Sequence, residues 1–344
     1  MKNIYDLTIE ELEEYFINIG EKKFKATQVF EWLYQKRINS FNEITNIKKE
    51  IIAKLSDDFL IDKLKLVKVQ RDTEVNKYLF EFSDKEHVET VLMRHDYGNS
   101  LCISSQVGCN MGCRFCESGR RKKVRNLTPS EMVLQIMQVE DDIKERISHV
   151  VIMGIGEPFD NYDNVVSFIK IVNHAKGIAL GSRHITISTC GIIPKIREFS
   201  ELPFQVNLAI SLHAPNNEIR NKIMPINKVY PIKKLINEIK LYIKKTNRRV
   251  TFEYIMLSGI NDDDKCANEL CDLLKGINCY INLIPYNETN NFGYKRSKKD
   301  DILKFYDIIK SRGLNVTIRK EFGTKISAAC GQLRSQEELW NRFF

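Results

Sequence analysis

The stretch SLCISSQVGCNMGCRFC, residues 100–116, joins a short apolar run to a cysteine-rich loop. Leu101–Ser105 has the composition of a buried strand. Cys109, Cys113 and Cys116 follow it with the spacing C-x3-C-x2-C. Thiolates are the ligands of iron–sulfur clusters, and three on one short loop can hold three corners of a four-iron cube. The fourth iron is then open to a chelating ligand. Gly112 lets the backbone turn tightly around such a group, and Phe115 can shield one side from water. A structural zinc site takes four ligands, usually as two separated pairs, and the chain has no second C-x2-C. Zinc, or a loop of free cysteines, remains the alternative.

Outward from this loop, strands and helices alternate. Strands are expected at Leu101–Ser105, His149–Met153, His184–Ser188, Val206–Ser211, Val250–Met256 and Tyr280–Ile284. Helices are expected at Pro129–Arg146, Tyr162–His174, Ile232–Lys245, Asp263–Leu274 and Lys298–Ser311. Such alternation implies a parallel sheet with right-handed crossovers. Six units fit an α/β fold of the partial (β/α)6 barrel type, spanning 99–334, before a short tail at 335–344. In such barrels chemistry collects at the C-terminal ends of the strands.

Toward the amino terminus the pattern differs. Residues 1–62 read as a small helical domain. Thr8 and Glu11 form a capping box, and Phe24, Val29, Phe30, Leu33 and Tyr34 recur at helical spacing. Residues 63–98 hold three β-type runs, expected as a connecting sheet or hairpin. The chain starts on a polar, acidic segment and has no apolar run long enough to span a bilayer. A soluble, cytoplasmic protein without membrane contact is expected. The formal net charge of +8 favours polyanionic partners. Nine cysteines in such a chain suit metal binding, catalysis or core filling better than a disulfide framework.

Several residues fall where a ligand would lie. Gly156 and Glu157 follow an apolar strand, where the bland reading is a turn with a helix-capping acid. Ser188 ends one strand, and Ser211, Leu212 and His213 end the next. By themselves these are as easily solvated turn residues. Arg120, Arg121, Lys122, Lys123 and Arg125 place five basic residues in six positions after the cysteine loop. Clusters of this kind contact phosphates, although many are solvated faces. Arg248, Arg249 and the Lys295–Lys299 segment extend this basic surface.

The C-x3-C-x2-C loop after a first barrel strand resembles the radical-SAM superfamily signature. The longer run at 100–116, RNLTPSEM, MGIGEPFDNYDNV, RHITISTCGIIP, NLAISLHAPN, MPIN and AACGQL resemble the RlmN/Cfr family of rRNA adenosine methyltransferases. The likeness covers nearly the whole chain. It implies a four-iron four-sulfur cluster (4Fe-4S) on Cys109, Cys113 and Cys116, with S-adenosylmethionine held by Gly156, Glu157, Ser188, Ser211, Leu212, His213 and Asn287. It implies that Cys330 carries a methyl group, that Cys102 resolves a protein–RNA adduct through a transient disulfide, and that Glu89 accepts a proton. The implied substrate is an adenosine of 23S rRNA at the peptidyl transferase centre, with tRNA as a second substrate class. An unidentified one-electron reductase is implied as partner. GEPFDN and ISLHAPN are closer to the branch that methylates C2 of the base; FGTKIS has something of the C8 branch, which confers antibiotic resistance.

Overall fold

The fold is known from a computed structural model that describes residues 1–288 and 293–320. One ten-stranded sheet dominates it. Its strands are β1 (Lys65–Arg71), β2 (Val75–Glu81), β3 (His87–His95), β4 (Gly98–Ile103), β5 (Ile147–Ile152), β6 (Ile185–Thr189), β7 (Asn207–Ser211), β8 (Val250–Met256), β9 (Cys279–Pro285) and β10 (Asn315–Ile318). Their order across the sheet is their order along the chain. From β4 to β10 every neighbouring pair is parallel. From β1 to β4 every pair is antiparallel. The segment 63–98 is thus no separate sheet. It continues the parallel one, because β3 and β4 turn at Asp96–Tyr97 and keep pairing.

Alternation along each strand gives the sheet two chemically different faces. On the outer face Leu101, Ile103, Val150, Ile152, Ile185, Ile187, Leu208, Ile210, Phe252 and Ile281 pack into the main core. The crossover helices α4 (Pro129–Ile143), α5 (Tyr162–Asn173), α6 (Ile193–Phe199), α8 (Ile232–Thr246), α9 (Asp264–Leu274) and α10 (Lys299–Ser311) cover that face, while α7 (Asn217–Ile223) lies at the strand ends, its Ile223 in a separate apolar cluster there. The concave face carries Cys102, Ser188, Ser211, Glu253, Asn282 and Thr317, the residues between. The open sheet with helices on its outer face is the partial barrel expected from the sequence.

The expected strands and the five expected helices match to within a few residues at each end. Two helices, α6 and α7, were not anticipated. Each has seven residues, too short for a 3.6-residue period to show.

At the amino terminus lie three helices, α1 (Ile9–Asn18), α2 (Phe24–Tyr34) and α3 (Lys49–Asp58). Thr8 and Glu11 cap the first reciprocally. These helices dock on α4 and α5. Asp6 accepts from the Ser130 amide at 2.9 Å, Arg37 pairs with Glu140, and Gln35 donates to the Ala175 carbonyl at 3.0 Å. Phe16 and Phe30 are buried, whereas Phe24, on the periodic apolar stripe, is exposed. Among the described residues no helix is long and apolar enough to cross a membrane.

Candidate active site

The C-terminal ends of β4 to β9 open onto one region, which the cysteine loop covers. Hydrogen bonds pin the loop: Cys109 N–H donates to the Arg121 carbonyl at 2.9 Å, Arg114 N–H to the Ile223 carbonyl at 2.9 Å, and Lys123 N–H to Asn110 Oδ1 at 2.9 Å. Cys116 N–H donates to Cys113 O at 3.1 Å, closing a tight turn. Gly108 is required there: its φ is +73°, and a Cβ would lie 2.3 Å from the Lys122 carbonyl oxygen. Beneath the loop Met111, Cys113 and Phe115 rest on an apolar patch formed by Cys190, Ala214, Met224, Leu257 and Tyr286.

The three thiols behave as one group. Burial pushes the Cys109 thiol up to about 12, with the Cys116 thiol adding to the shift, while the Met111 amide donates to its sulfur. Burial pushes the Cys113 thiol well up too, reinforced by Cys116 and Cys109. Thiolates coupled in a low dielectric repel each other, so a bound cationic centre is what would hold them ionised; among the described residues no three His, Cys, Asp or Glu side chains are already gathered into a metal-holding group. Ser118 Oγ, in the same loop, is buried without a hydrogen-bond partner among the described residues. Sulfur donors, an amide aimed at one of them and an orphaned hydroxyl fit an iron–sulfur cluster.

The loop after β5 comes next. Gly156 has φ +111°, and a Cβ there would fall 2.6 Å from Gln106 Cβ. Glu157 N–H donates to Gln106 Oε1 at 2.9 Å. The buried Glu157 carboxylate accepts from Phe159 N–H at 3.0 Å and from Cys190 N–H at 2.7 Å. Burial raises its carboxyl above the ordinary value, against the pull of these donors. The capping role is therefore real, and the same carboxylate ties the end of β5 to the end of β6.

Ser188 and Ser211 meet across β6 and β7, their hydroxyls 3.4 Å apart. Leu212 points the other way: its side chain is in the main core, and only its backbone faces the site. His213 is buried with φ +57°. Its Nδ1 accepts from Ile255 N–H at 3.1 Å, and its ring meets Phe115 edge-on at 4.9 Å. Burial, with Arg220 nearby, lowers its pKa to about 3, so the imidazole is neutral. Asn287 follows β9 and is exposed. Glu89 and Cys102 lie on the concave faces of β3 and β4, both buried. Ser104 Oγ donates to the Glu89 backbone carbonyl at 2.7 Å. Cys330 falls outside the described residues.

The basic loop is less free than its composition implies. Arg121 pairs with Glu86 at 2.8 Å and Lys123 with Asp160 at 2.6 Å. Arg125 is held between Asp84 and Glu131, and Arg120 lies 3.5 Å from Glu117. Lys122 is exposed. Arg248 likewise serves the fold, donating to the carbonyls of Phe204 and Val206.

Sequence reasoning missed Arg220. Its guanidinium is fully buried and donates to the carbonyls of Cys190 at 2.7 Å, Leu212 at 3.1 Å and Ser211 at 3.2 Å, and to Asn227 Oδ1 at 3.1 Å. It staples the ends of β6 and β7 together. Nothing in the local run NNEIRNKI distinguishes it from a surface helix arginine.

A substrate region over the strand ends of an α/β half-barrel, with a three-thiol loop above it, defines a radical-SAM fold. Residues 103–269 match the model of the radical SAM superfamily, and residues 2–61 match that of the ribosomal RNA large subunit methyltransferase N-terminal domain. The chain is 56% identical over 345 residues to a probable dual-specificity RNA methyltransferase RlmN of Enterococcus faecalis, covering 98% of this chain and 97% of the relative. It is 54% identical to a protein of the same description from Listeria welshimeri, covering 97% and 94%. A radical SAM methyltransferase from Sphaerobacter thermophilus superimposes with a TM-score of 0.90 at 39% identity, covering 96% of this chain and 99% of that one. The chain belongs to the RlmN family of radical-SAM RNA methyltransferases.

Proposed function

We propose that this enzyme methylates C2 of an adenosine in 23S rRNA at the peptidyl transferase centre, and an adenosine of tRNA, through a methyl-cysteine intermediate. The carrying observation is identity of 54–56% over nearly full length to proteins described as dual-specificity RlmN methyltransferases. Cys109, Cys113 and Cys116 would hold the 4Fe-4S cluster. Gly156, Glu157, Ser188, Ser211, the Leu212 backbone, His213 and Asn287 would hold S-adenosylmethionine. Bound together, cluster and cofactor supply a methyl group and a carbon radical that abstracts hydrogen.

The chain's own residues do the rest. Cys330 carries the methyl carbon to the base, since an aromatic carbon such as C2 is too poor a nucleophile for direct polar transfer. Glu89 accepts the proton released from the substituted carbon. Cys102 attacks Cys330 sulfur, freeing the methylated RNA and leaving a disulfide that cellular thiols reduce. The enzyme works in the cytoplasm with a one-electron reductase.

Mass spectrometry of nuclease digests tests this reading. Deleting the gene should remove 2-methyladenosine from both 23S rRNA and tRNA, and the intact gene should restore it. Restoration of 8-methyladenosine instead would reassign the target carbon, and an unchanged digest would end the reading.

A further inference from the structure

A polar row crosses the concave face of five consecutive strands. In the register of the sheet Ser211 on β7 stands opposite Glu253 on β8, Glu253 opposite Asn282 on β9, and Asn282 opposite Thr317 on β10. Ser188 on β6 joins the row through its hydroxyl, 3.4 Å from that of Ser211. Phe252 and Tyr254, on either side of Glu253, belong to the helix-covered core, so the carboxylate projects inward. Ser188, Ser211, Asn282 and Thr317 are each half-buried, and the row therefore lines open space. Glu253 itself is 5% exposed. Its Oε2 accepts from Asn282 Nδ2 at 2.8 Å. Thr317 Oγ1 donates to Asn282 Oδ1 at 3.4 Å, which fixes the amide with its N–H groups toward the carboxylate. Among the described residues no group donates to the other oxygen, Oε1. Burial raises this carboxyl above its ordinary value, against the pull of Arg319 and the Asn282 amide. A carboxylate has room for about four hydrogen bonds, and a buried one left short of donors is costly. The fold thus presents a strong acceptor whose remaining donors must come from a ligand.

We propose that Glu253 is a cofactor-binding residue: its free oxygen takes the vicinal hydroxyls of the S-adenosylmethionine ribose, beside Ser188 and Ser211. The assignment deepens the cofactor site proposed above and rests on those two serines belonging to it. The chemistry of the row selects a diol. A carboxylate only accepts, whereas a serine hydroxyl both donates and accepts. Two adjacent ribose hydroxyls can donate to the first and accept from the second. Neighbouring strands lie about 4.8 Å apart, a gap that one ribose with its hydroxyls bridges. A buried acid serves ribose hydroxyls in the same way at dinucleotide sites. A target adenosine within an RNA chain cannot supply the pair, because its 3′ oxygen is esterified; the cofactor ribose keeps both hydroxyls free.

The test is calorimetric titration of S-adenosylmethionine, and of its 2′-deoxyribose counterpart, into anaerobically reconstituted full-length protein. Wild type should bind the deoxy compound about tenfold more weakly or worse, the loss expected when a charged acceptor is left without its hydroxyl. Glu253→Gln keeps the volume and the bond from Asn282 but turns an amide N–H group toward the ligand. Its iron content should match wild type, its affinity for S-adenosylmethionine should fall about tenfold, and the two compounds should then bind within about twofold of each other. Glu253→Ala should lose the same discrimination; where it fails to fold, the isosteric glutamine variant decides. Full wild-type discrimination in Glu253→Gln would overturn the proposal, as would a wild type that binds both compounds equally. It would also fall if Glu253→Gln left cofactor binding intact and altered only the response to RNA carrying a 2′-deoxy target nucleotide, which would assign the hydroxyl to the substrate. Failure of wild type with an intact cluster to bind S-adenosylmethionine at all would instead remove the cofactor site on which the proposal rests.

Discussion

Replacing Arg220 with Met should damage the site without touching a proposed ligand or nucleophile. The side chain donates to three main-chain carbonyls and one amide oxygen within 3.2 Å. A hydrogen bond from a charged donor contributes about 1.5–3 kcal/mol, and each acceptor left buried and unpaired costs about 1–3 kcal/mol. Against this stands the cost of burying the guanidinium, which lowers its pKa to about 10. The methionine leaves neutral acceptors unpaired rather than a buried charge, so a net loss of about 1–3 kcal/mol is expected. Lysine, with three donors on a compact head, can serve at most three of the four acceptors, so Arg220→Lys should fall between wild type and Met. Equilibrium urea unfolding of apoprotein gives the stability loss. Calorimetric titration of S-adenosylmethionine into anaerobically reconstituted protein gives the consequence for the site, since Ser211 and Cys190 are held by this group. We expect at least a tenfold weaker cofactor affinity, which is about 1.4 kcal/mol. A loss under 1 kcal/mol in unfolding with unchanged cofactor affinity would refute the stapling argument.

Three further outcomes are expected. Cys102→Ala should still methylate Cys330 and bond to RNA, then stall as a nuclease-sensitive adduct on denaturing gels; normal turnover without adduct would displace Cys102 as the resolving thiol. Lys122→Glu should weaken RNA binding and lower its salt slope by about one, while Arg125→Ala should chiefly lower stability, by about 1–3 kcal/mol, measured by salt-titrated filter binding and thermal melts. The buried His213, at about 3 against 6.5 for the ordinary group, binds its proton only in the unfolded state between those values. Stability should therefore fall as pH drops below 6.5, by about 1.4 kcal/mol per pH unit. His213→Asn should flatten that slope in apoprotein unfolded by urea at pH 5 to 7, and an unchanged slope would assign it to other groups.

What the sequence made legible follows from period and from glycine. The parallel strands are short, apolar and bounded by turn residues, so β5 to β9 could be placed nearly to the residue. Gly156 stands out in the sequence by its place after an apolar strand and by the resemblance of the Gly156–Glu157 pair; the fold gives it φ +111° and a close approach to Gln106. Arg220 and Gln106 do not stand out. Their partners lie on other elements: for Arg220 the acceptors are carbonyls at strand ends 8 to 30 residues away, which carry no side-chain signature. The basic loop is legible only in part, for the reverse reason. Its composition signals polyanion contact, whereas the acids that pair Arg121, Lys123 and Arg125 (Glu86, Asp160, Asp84 and Glu131) come from separate segments.

The two faces of the sheet explain why one strand can serve fold and chemistry together. In β4, Leu101 and Ile103 belong to the helix-covered core, while Cys102 between them faces Val91 and the barrel interior. In β8, Phe252 and Tyr254 enter the same core, while Glu253 is held by Asn282 inside. A one-residue slip of either strand would bury the polar group among helices and turn an apolar residue inward. The packing that fixes register therefore also fixes which side chains reach the site. Glu89 obeys the same constraint on β3: Val88 and Leu92 on the outer face seal against the core. Substitutions there that weaken packing should disturb the chemistry through register before they unfold the protein.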